Sequence, residues 1–215
     1  MRERLRLTAA LLIALIGCMP AAVEAIPFNF EFETATSEPQ AGAYSSLAMT
    51  EGGLTLTLSR STGAHFDIVL NVGDQSDKPP GWGSKSLDPF FTLPSGDFWV
   101  GTLSRIVSAV SLEFGDYGPS DTDSPVFLKA WSGPGGTGAL LDSDTGTWAG
   151  TDSFPDFGSL TVSGGGIQSI TFGSLASGDS PNSLFWDNIN VPEPASLLLL
   201  GAGLAAPAWR RMRRP

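Results

Sequence analysis

The sequence predicts an all-β protein, a jelly-roll-like antiparallel β-sandwich over residues 26–190, and three observations predict it. Apolar residues in that span alternate with polar ones at a period of two, and no stretch sustains the 3.6-residue stripe of an amphipathic helix. The 26 glycines and 16 prolines of the chain fall mostly between the alternating runs, where they make turns. The runs are many and short, as a sandwich requires.

Taken in order, residues 1–25 read as a secretory signal peptide. Arg2, Arg4 and Arg6 give a positive start, Leu7 to Ile16 an apolar stretch, and Val23-Glu24-Ala25 a small-residue cleavage site ahead of Ile26. Two readings fit Cys18. It is either a small residue discarded with the leader or, since Leu15-Ile16-Gly17-Cys18 resembles the lipobox of bacterial lipoproteins, an alternative lipidation site. Beyond residue 25 the chain has no cysteine, so the exported part relies on its hydrophobic core and on whatever cation it binds.

The strand pattern starts with Phe28, Phe30 and Phe32, alternating with Asn29, Glu31 and Glu33. Leu54, Leu56 and Leu58 alternate with Thr55, Thr57 and Ser59, and Phe66, Ile68, Leu70 and Val72 continue the habit. Ile106, Val110, Leu112 and Phe114 are expected on one face of a further strand. Residues 126–131, 160–162, 167–172 and 184–191 complete the set. With 165 residues the span is one domain.

Residues 26–190 hold 19 of the 22 acidic residues and five of the 12 basic ones, a net charge of about −14. Nucleic acid and anionic lipid are poor partners for such a surface; cations are good ones. No cofactor is required by any motif, but three acidic groupings admit calcium, which takes six to eight oxygens. The loop after Phe114 brings Asp116, Asp121 and Asp123 close in sequence, and Asp142-Ser143-Asp144-Thr145-Gly146 repeats the theme; neither has EF-hand spacing, and a solvated turn is the competing reading. The third grouping rests on a resemblance. Leu184-Phe185-Trp186-Asp187-Asn188-Ile189 resembles the closing strand of exported bacterial jelly rolls, carbohydrate-binding modules among them, and that resemblance implies a structural calcium shared by Glu31 or Glu33 with Asp187. A cap on the strand end explains Asp187 and Asn188 equally well.

Trp82, in Pro79-Pro80-Gly81-Trp82-Gly83, and Trp131 are candidates for stacking on a sugar face, and each can equally fold back on its own sandwich, as can Trp99 and Trp148. Catalysis has little support. His65, the single histidine, sits in a strand pattern, and the sequence has no Gly-x-Ser-x-Gly elbow, no zinc motif and no phosphate loop. A pair of carboxylates for glycoside hydrolysis can arise from any two strands, which keeps a glycoside hydrolase as a minor alternative.

The last 25 residues differ in kind. Val191-Pro192-Glu193-Pro194 is a rigid break, residues 195–209 are an apolar run, and Arg210, Arg211, Arg213 and Arg214 form a basic tip. As a single transmembrane helix the run spans roughly 22 Å, short of the roughly 30 Å hydrocarbon core. Motif, helix and basic tip together resemble the PEP-CTERM sorting signal. The resemblance implies recognition and cleavage near residues 191–194 by an exosortase, in a Gram-negative bacterium that makes exopolysaccharide. It implies a protein exported through the inner membrane with the help of signal peptidase, held briefly by its C-terminal helix, and then delivered to the cell surface or extracellular matrix. The expected function is that of a non-enzymatic surface or biofilm-matrix protein; the alternative is a calcium-assisted carbohydrate-binding module on the same route.

Overall fold

The computed structural model describes residues 27–35, 44–70, 83–88, 96–116, 125–146, 156–175 and 184–192, all within one compact unit, Pro27–Pro194. The leader 1–25 with Cys18, the apolar run 195–209, the arginines of the basic tip, Glu193, Pro194, Trp82, Trp148, Asp121 and Asp123 lie outside the described residues. Among the described residues there are ten strands, two 3-10 turns and no α-helix, and no helix is long and apolar enough to cross a membrane.

The strands are β1 (Phe28–Phe30), β2 (Leu47–Glu51), β3 (Leu54–Arg60), β4 (Asp67–Leu70), β5 (Lys85–Asp88), β6 (Trp99–Asp116), β7 (Val126–Trp131), β8 (Leu140–Gly146), β9 (Asp156–Ser174) and β10 (Phe185–Val191). Every pairing is antiparallel. Hydrogen bonding runs in the order β4-β5-β10-β6-β9-β7-β8, with β1 on β10 and the β2/β3 pair on β6. The two long strands carry both layers of the sandwich. The first half of β6 lies between β3 and the end of β9, whereas its second half lies between β10 and the start of β9.

The bend that sends this ribbon from one layer to the other has a local cause. Register shifts flank Val107 in β6, and opposite them β9 runs through Gly164, Gly165 and Gly166, the last with φ of 98°. A side chain resists that φ, and glycine does not. The shifts overturn one expectation: Ile106 is 63% exposed, while Val107 takes the buried position beside Val110, Leu112 and Phe114. An extra residue in a strand reverses which face its neighbours occupy. The same glycines correct the reading of 160–162 and 167–172 as two strands, for β9 passes through both.

Two further corrections come from the ends of runs. Phe32 is fully buried as its alternation implies, but β1 stops at Phe30 and Phe32–Thr34 is a 3-10 turn. His65 is exposed in the connection before β4 rather than within a strand. In β3 the alternation holds, with Leu54, Leu56 and Leu58 inside and Thr55, Thr57 and Ser59 outside, and Phe66 and Ile68 are buried as expected, while Val72 lies outside the described residues. Its centre is aromatic: the Trp99 and Phe172 rings stack at 6.2 Å, and Phe172 meets Trp186 edge-on at 5.0 Å. Trp99 is thereby a core residue, 1% exposed.

The two layers are also tied at an edge by acids. Asp142 and Asp144 lie in β8 rather than in a loop, and their carboxylates reach the start of β9, where Ser163 N–H donates to Asp142 Oδ2 (2.7 Å) and Thr161 N–H to Asp144 Oδ2 (2.8 Å). The amides of Ser163 and Ser143 hold the Asp142 carboxyl below its ordinary range. Unpaired edge amides invite another strand, and here side chains close them.

Candidate functional site

The site forms where the first and last strands meet. β1 pairs with the end of β10, Phe28 opposite Val191 and Phe30 opposite Ile189, while β6 runs along the other side of β10. Asp187 faces Glu113 and Asn190 faces Ser111, so Asn188 and Ile189 together oppose one residue of β6, a β-bulge. Asn188 has φ of 49°, which asparagine tolerates better than most residues with a side chain. The bulge breaks the in-out alternation, and Trp186, Asp187, Asn188 and Ile189 are consecutively buried.

Three strands and two connections then converge on these polar groups. Asp187 Oδ1 accepts from Asn188 N–H (2.9 Å) and Oδ2 from Gly83 N–H (3.2 Å). Asn188 Nδ2 donates to Glu113 Oε2 (2.8 Å), and Asn29 Nδ2 donates to Glu31 Oε1 (2.5 Å). Glu33 clamps the start of β5, accepting from Ser84 Oγ–H (2.6 Å) and Lys85 N–H (2.8 Å). The Lys85 ammonium in turn donates to the carbonyls of Glu33 (2.9 Å) and Ala35 (2.6 Å). Gly83 is where the chain passes so near Glu33 that a Cβ would collide with its carboxylate.

Burial dominates the electrostatics at Asp187. Desolvation pushes its pKa up to about 7; the amides of Asn188 and Gly83 oppose the rise, and the charges of Glu31 and Glu33 add to it. Glu33 goes the other way. Its burial is outweighed by Ser84, by the amides of Lys85 and Ser84 and by the Lys85 ammonium, which hold it below the usual carboxylate range. Asn29 Oδ1 is buried with no hydrogen-bond partner among the described residues. No three His, Cys, Asp or Glu side chains among the described residues form a metal-holding group.

Of the residues singled out in the sequence, Glu31, Glu33 and Asp187 come together. Asp116 ends β6, and the rest of its loop lies outside the described residues. Trp131 is half-buried on the outward side of β7, its indole N–H donating to Thr171 Oγ1 (3.0 Å). Sequence reasoning missed Asn29 and Glu113, which share the cluster. It also missed the Arg60–Asp97 ion pair (2.9 Å), buried with the guanidinium 4.5 Å from the Trp99 ring centre. Asp97 is desolvated, but Ser61, Thr62 and Arg60 together hold its carboxyl below the ordinary value. One signal was available: Asp187-Asn188 is a polar doublet inside an apolar strand, where alternation allows a single polar residue.

The chain is similar in structure to the K2 cleaved adhesin domain of Lys-gingipain, with a TM-score of 0.51 and 13% identity over 78% of this chain and 98% of that one. It is also similar to the CBM22-1 xylan-binding domain of Paenibacillus barcinonensis Xyn10C, with a TM-score of 0.43 and 15% identity over 80% of this chain and 97% of that one. At such identities the first likeness shows a shared β-sandwich fold and nothing finer. No curated protein matches the chain. Residues 190–214 match the family model described as the PEP-CTERM protein-sorting motif. β10 ends inside that match, with Val191 fully buried and Pro192 exposed. The chain is therefore a β-sandwich protein carrying a PEP-CTERM sorting motif, the mark of an exported protein processed at the cell envelope.

Proposed function

We propose that this chain is a non-enzymatic cell-surface or extracellular-matrix protein of a Gram-negative bacterium. Signal peptidase removes its leader, its C-terminal helix anchors it transiently, and an exosortase cuts near residues 191–194, leaving a jelly-roll-like domain in the exopolysaccharide of the biofilm. The observation that carries this reading is the sorting motif over residues 190–214. Intact mass of the protein recovered from cells and from medium tests it. A C-terminus at or near residues 191–194 is expected; a chain retaining Arg213 and Arg214 in both fractions refutes it. The same spectrum separates an Ile26 start from a lipidated Cys18.

A second reading, a calcium-assisted carbohydrate-binding module, is favoured by the closeness of Glu31 and Glu33 to a buried Asp187. Glu31, Asp187 and the side-chain oxygens of Asn29 and Asn188 would hold the ion, and Glu33 would keep β5 against it. Calcium there supplies positive charge that lets Asp187 ionise while buried, fixing β1, β5 and β10 together. Trp131 would provide a sugar-stacking surface. Calorimetric titration of the chelated protein with calcium tests the ion. No heat, or heat unchanged in Asp187→Asn, refutes it.

A further inference from the structure

The outward face of the layer containing β3, β6, β9, β7 and β8 has a composition unlike the rest of the chain. Strand register places Thr57, Thr102, Ser169, Trp131 and Leu140 in one transverse row. The next row is Ser59, Val100, Thr171, Lys129 and Ser143. Neither row holds an acid, although the chain has 22 acidic residues, and Lys129 is the one charge in either. The hydroxyls are partly organised by the protein itself. Gly135 N–H donates to Thr102 Oγ1 (3.1 Å) and Gly136 N–H to Ser169 Oγ (2.9 Å), so the turn Pro134–Gly136 stands on the first row as a wall.

Beside this wall the half-buried Trp131 is fastened to Thr171 through its indole N–H, which fixes the ring at the sheet surface. On the other side Phe98 packs edge-on against Phe127 at 6.3 Å. Between them the Lys129 ammonium lies 5.0 Å from the Phe127 ring centre, half-exposed and in no ion pair among the described residues. The nearest carboxylates in register, Asp142 and Asp144 on either side of Ser143, alternate to the other face of β8 and are taken up by the amides of Ser163 and Thr161, so a cation held by an aromatic face amid hydroxyls attracts an anion that the acidic remainder of the surface repels. Ser169 and Thr171 are buried and hold the wall and the indole in place, while the more open hydroxyls of Thr57, Ser59, Thr102 and Ser143 and the fixed indole are the groups that contact sugar rings.

We infer that this face is a glycan-binding face and that Lys129 selects a carboxylate-bearing polysaccharide for it. The inference rests on the carbohydrate-binding reading above and adds the ligand class and the residue that sets it. A short uronic oligosaccharide can bring one carboxylate to Lys129 without the repulsion a long polyanion meets from the acidic surface.

The test uses the full chain and two probes that share a backbone, trigalacturonate and its fully methyl-esterified counterpart. Wild type is expected to bind the acid form about tenfold or more tightly than the ester, the scale of one charge-assisted hydrogen bond. Lys129→Gln should remove that preference and leave ester binding unchanged, Lys129→Arg should restore it, and Trp131→Ala should weaken both probes. Arg105→Gln removes the same charge elsewhere and should change either affinity less than twofold. Equal losses in Lys129→Gln and Arg105→Gln, or equal binding of acid and ester by wild type, overturn the ligand class and leave sugar binding intact. If wild type binds neither probe, both readings fall. A dimer in sedimentation that Trp131→Ala dissociates would assign the face to a second copy and overturn the inference as well.

Discussion

Replacing Asp187 with asparagine separates the cost of a buried charge from the contacts that hold it. The wild-type carboxyl has a folded pKa of about 7 against an ordinary value of 3.8. Because the folded value is the higher one, the stability linked to this group is fully present below the unfolded pKa and is lost as pH rises through about 7. A shift of about three units corresponds to about 4 kcal/mol at pH 8, or roughly 10 °C in Tm for a domain of this size. The amide of Asp187→Asn occupies the same space and still accepts one of the two N–H groups, so at pH 4 the variant should lie within about 1 kcal/mol of wild type. Thermal unfolding in chelator at pH 4, 6 and 8 measures the difference between the two proteins, in which contributions from other acids cancel. The variant should be the more stable protein at pH 8, with the advantage vanishing towards pH 4. Excess calcium should raise the wild type at pH 8 and leave the variant where it is. A difference that stays constant across the range, or a variant less stable at pH 8, would show that Asp187 is not strained by its own charge.

Other perturbations follow from the same geometry. Asp97→Ala strands Arg60 in the core, and urea unfolding should show a loss of about 3–5 kcal/mol, the usual result of breaking a buried pair from one side. With the Asp97 carboxyl held below 3.8, its stabilisation is present above that pH and declines as pH falls beneath it, opposite in sign to Asp187. Asp142→Asn should speed hydrogen exchange at the Ser163 amide while leaving Thr161, bound to Asp144, nearly unchanged; equal effects at both amides would contradict the pairing. A Cβ at Gly158 would fall 2.5 Å from Phe114 Cζ, so Gly158→Ala should lower stability by about 1–3 kcal/mol in denaturant titration, as overpacking does. Val191→Ala should cost about 2 kcal/mol, because the residue is part of the core although it lies within the sorting motif.

Much of this was legible along the chain. The Phe28, Phe30, Phe32 and Leu54, Leu56, Leu58 alternations name core residues directly, because a strand presents every second side chain to the same face. The resemblance of the last strand to the closing strand of exported jelly rolls put Asp187 beside Glu31 or Glu33, and β1 does pair with β10. Ile106 was misread because a bulge leaves no composition signal and reverses the face. β8 was missed because its inward-reaching residues are Asp142 and Asp144, whose targets are amides about 20 residues away in sequence.

The sequence alone determined what depends on local order: the strand period, the turn residues and the sorting motif over residues 190–214, which is a linear signal. Only the tertiary structure decided which carboxylates are strained. Asp187 and Asp97 are the same residue type, both buried in sandwich layers, yet one is pushed up and the other down. The cause is their neighbours, two glutamates beside Asp187 and a guanidinium with two hydroxyls beside Asp97, brought there across 30 to 150 residues of chain. Coulomb energy and desolvation depend on distance in space, and a sequence gives distance along the chain.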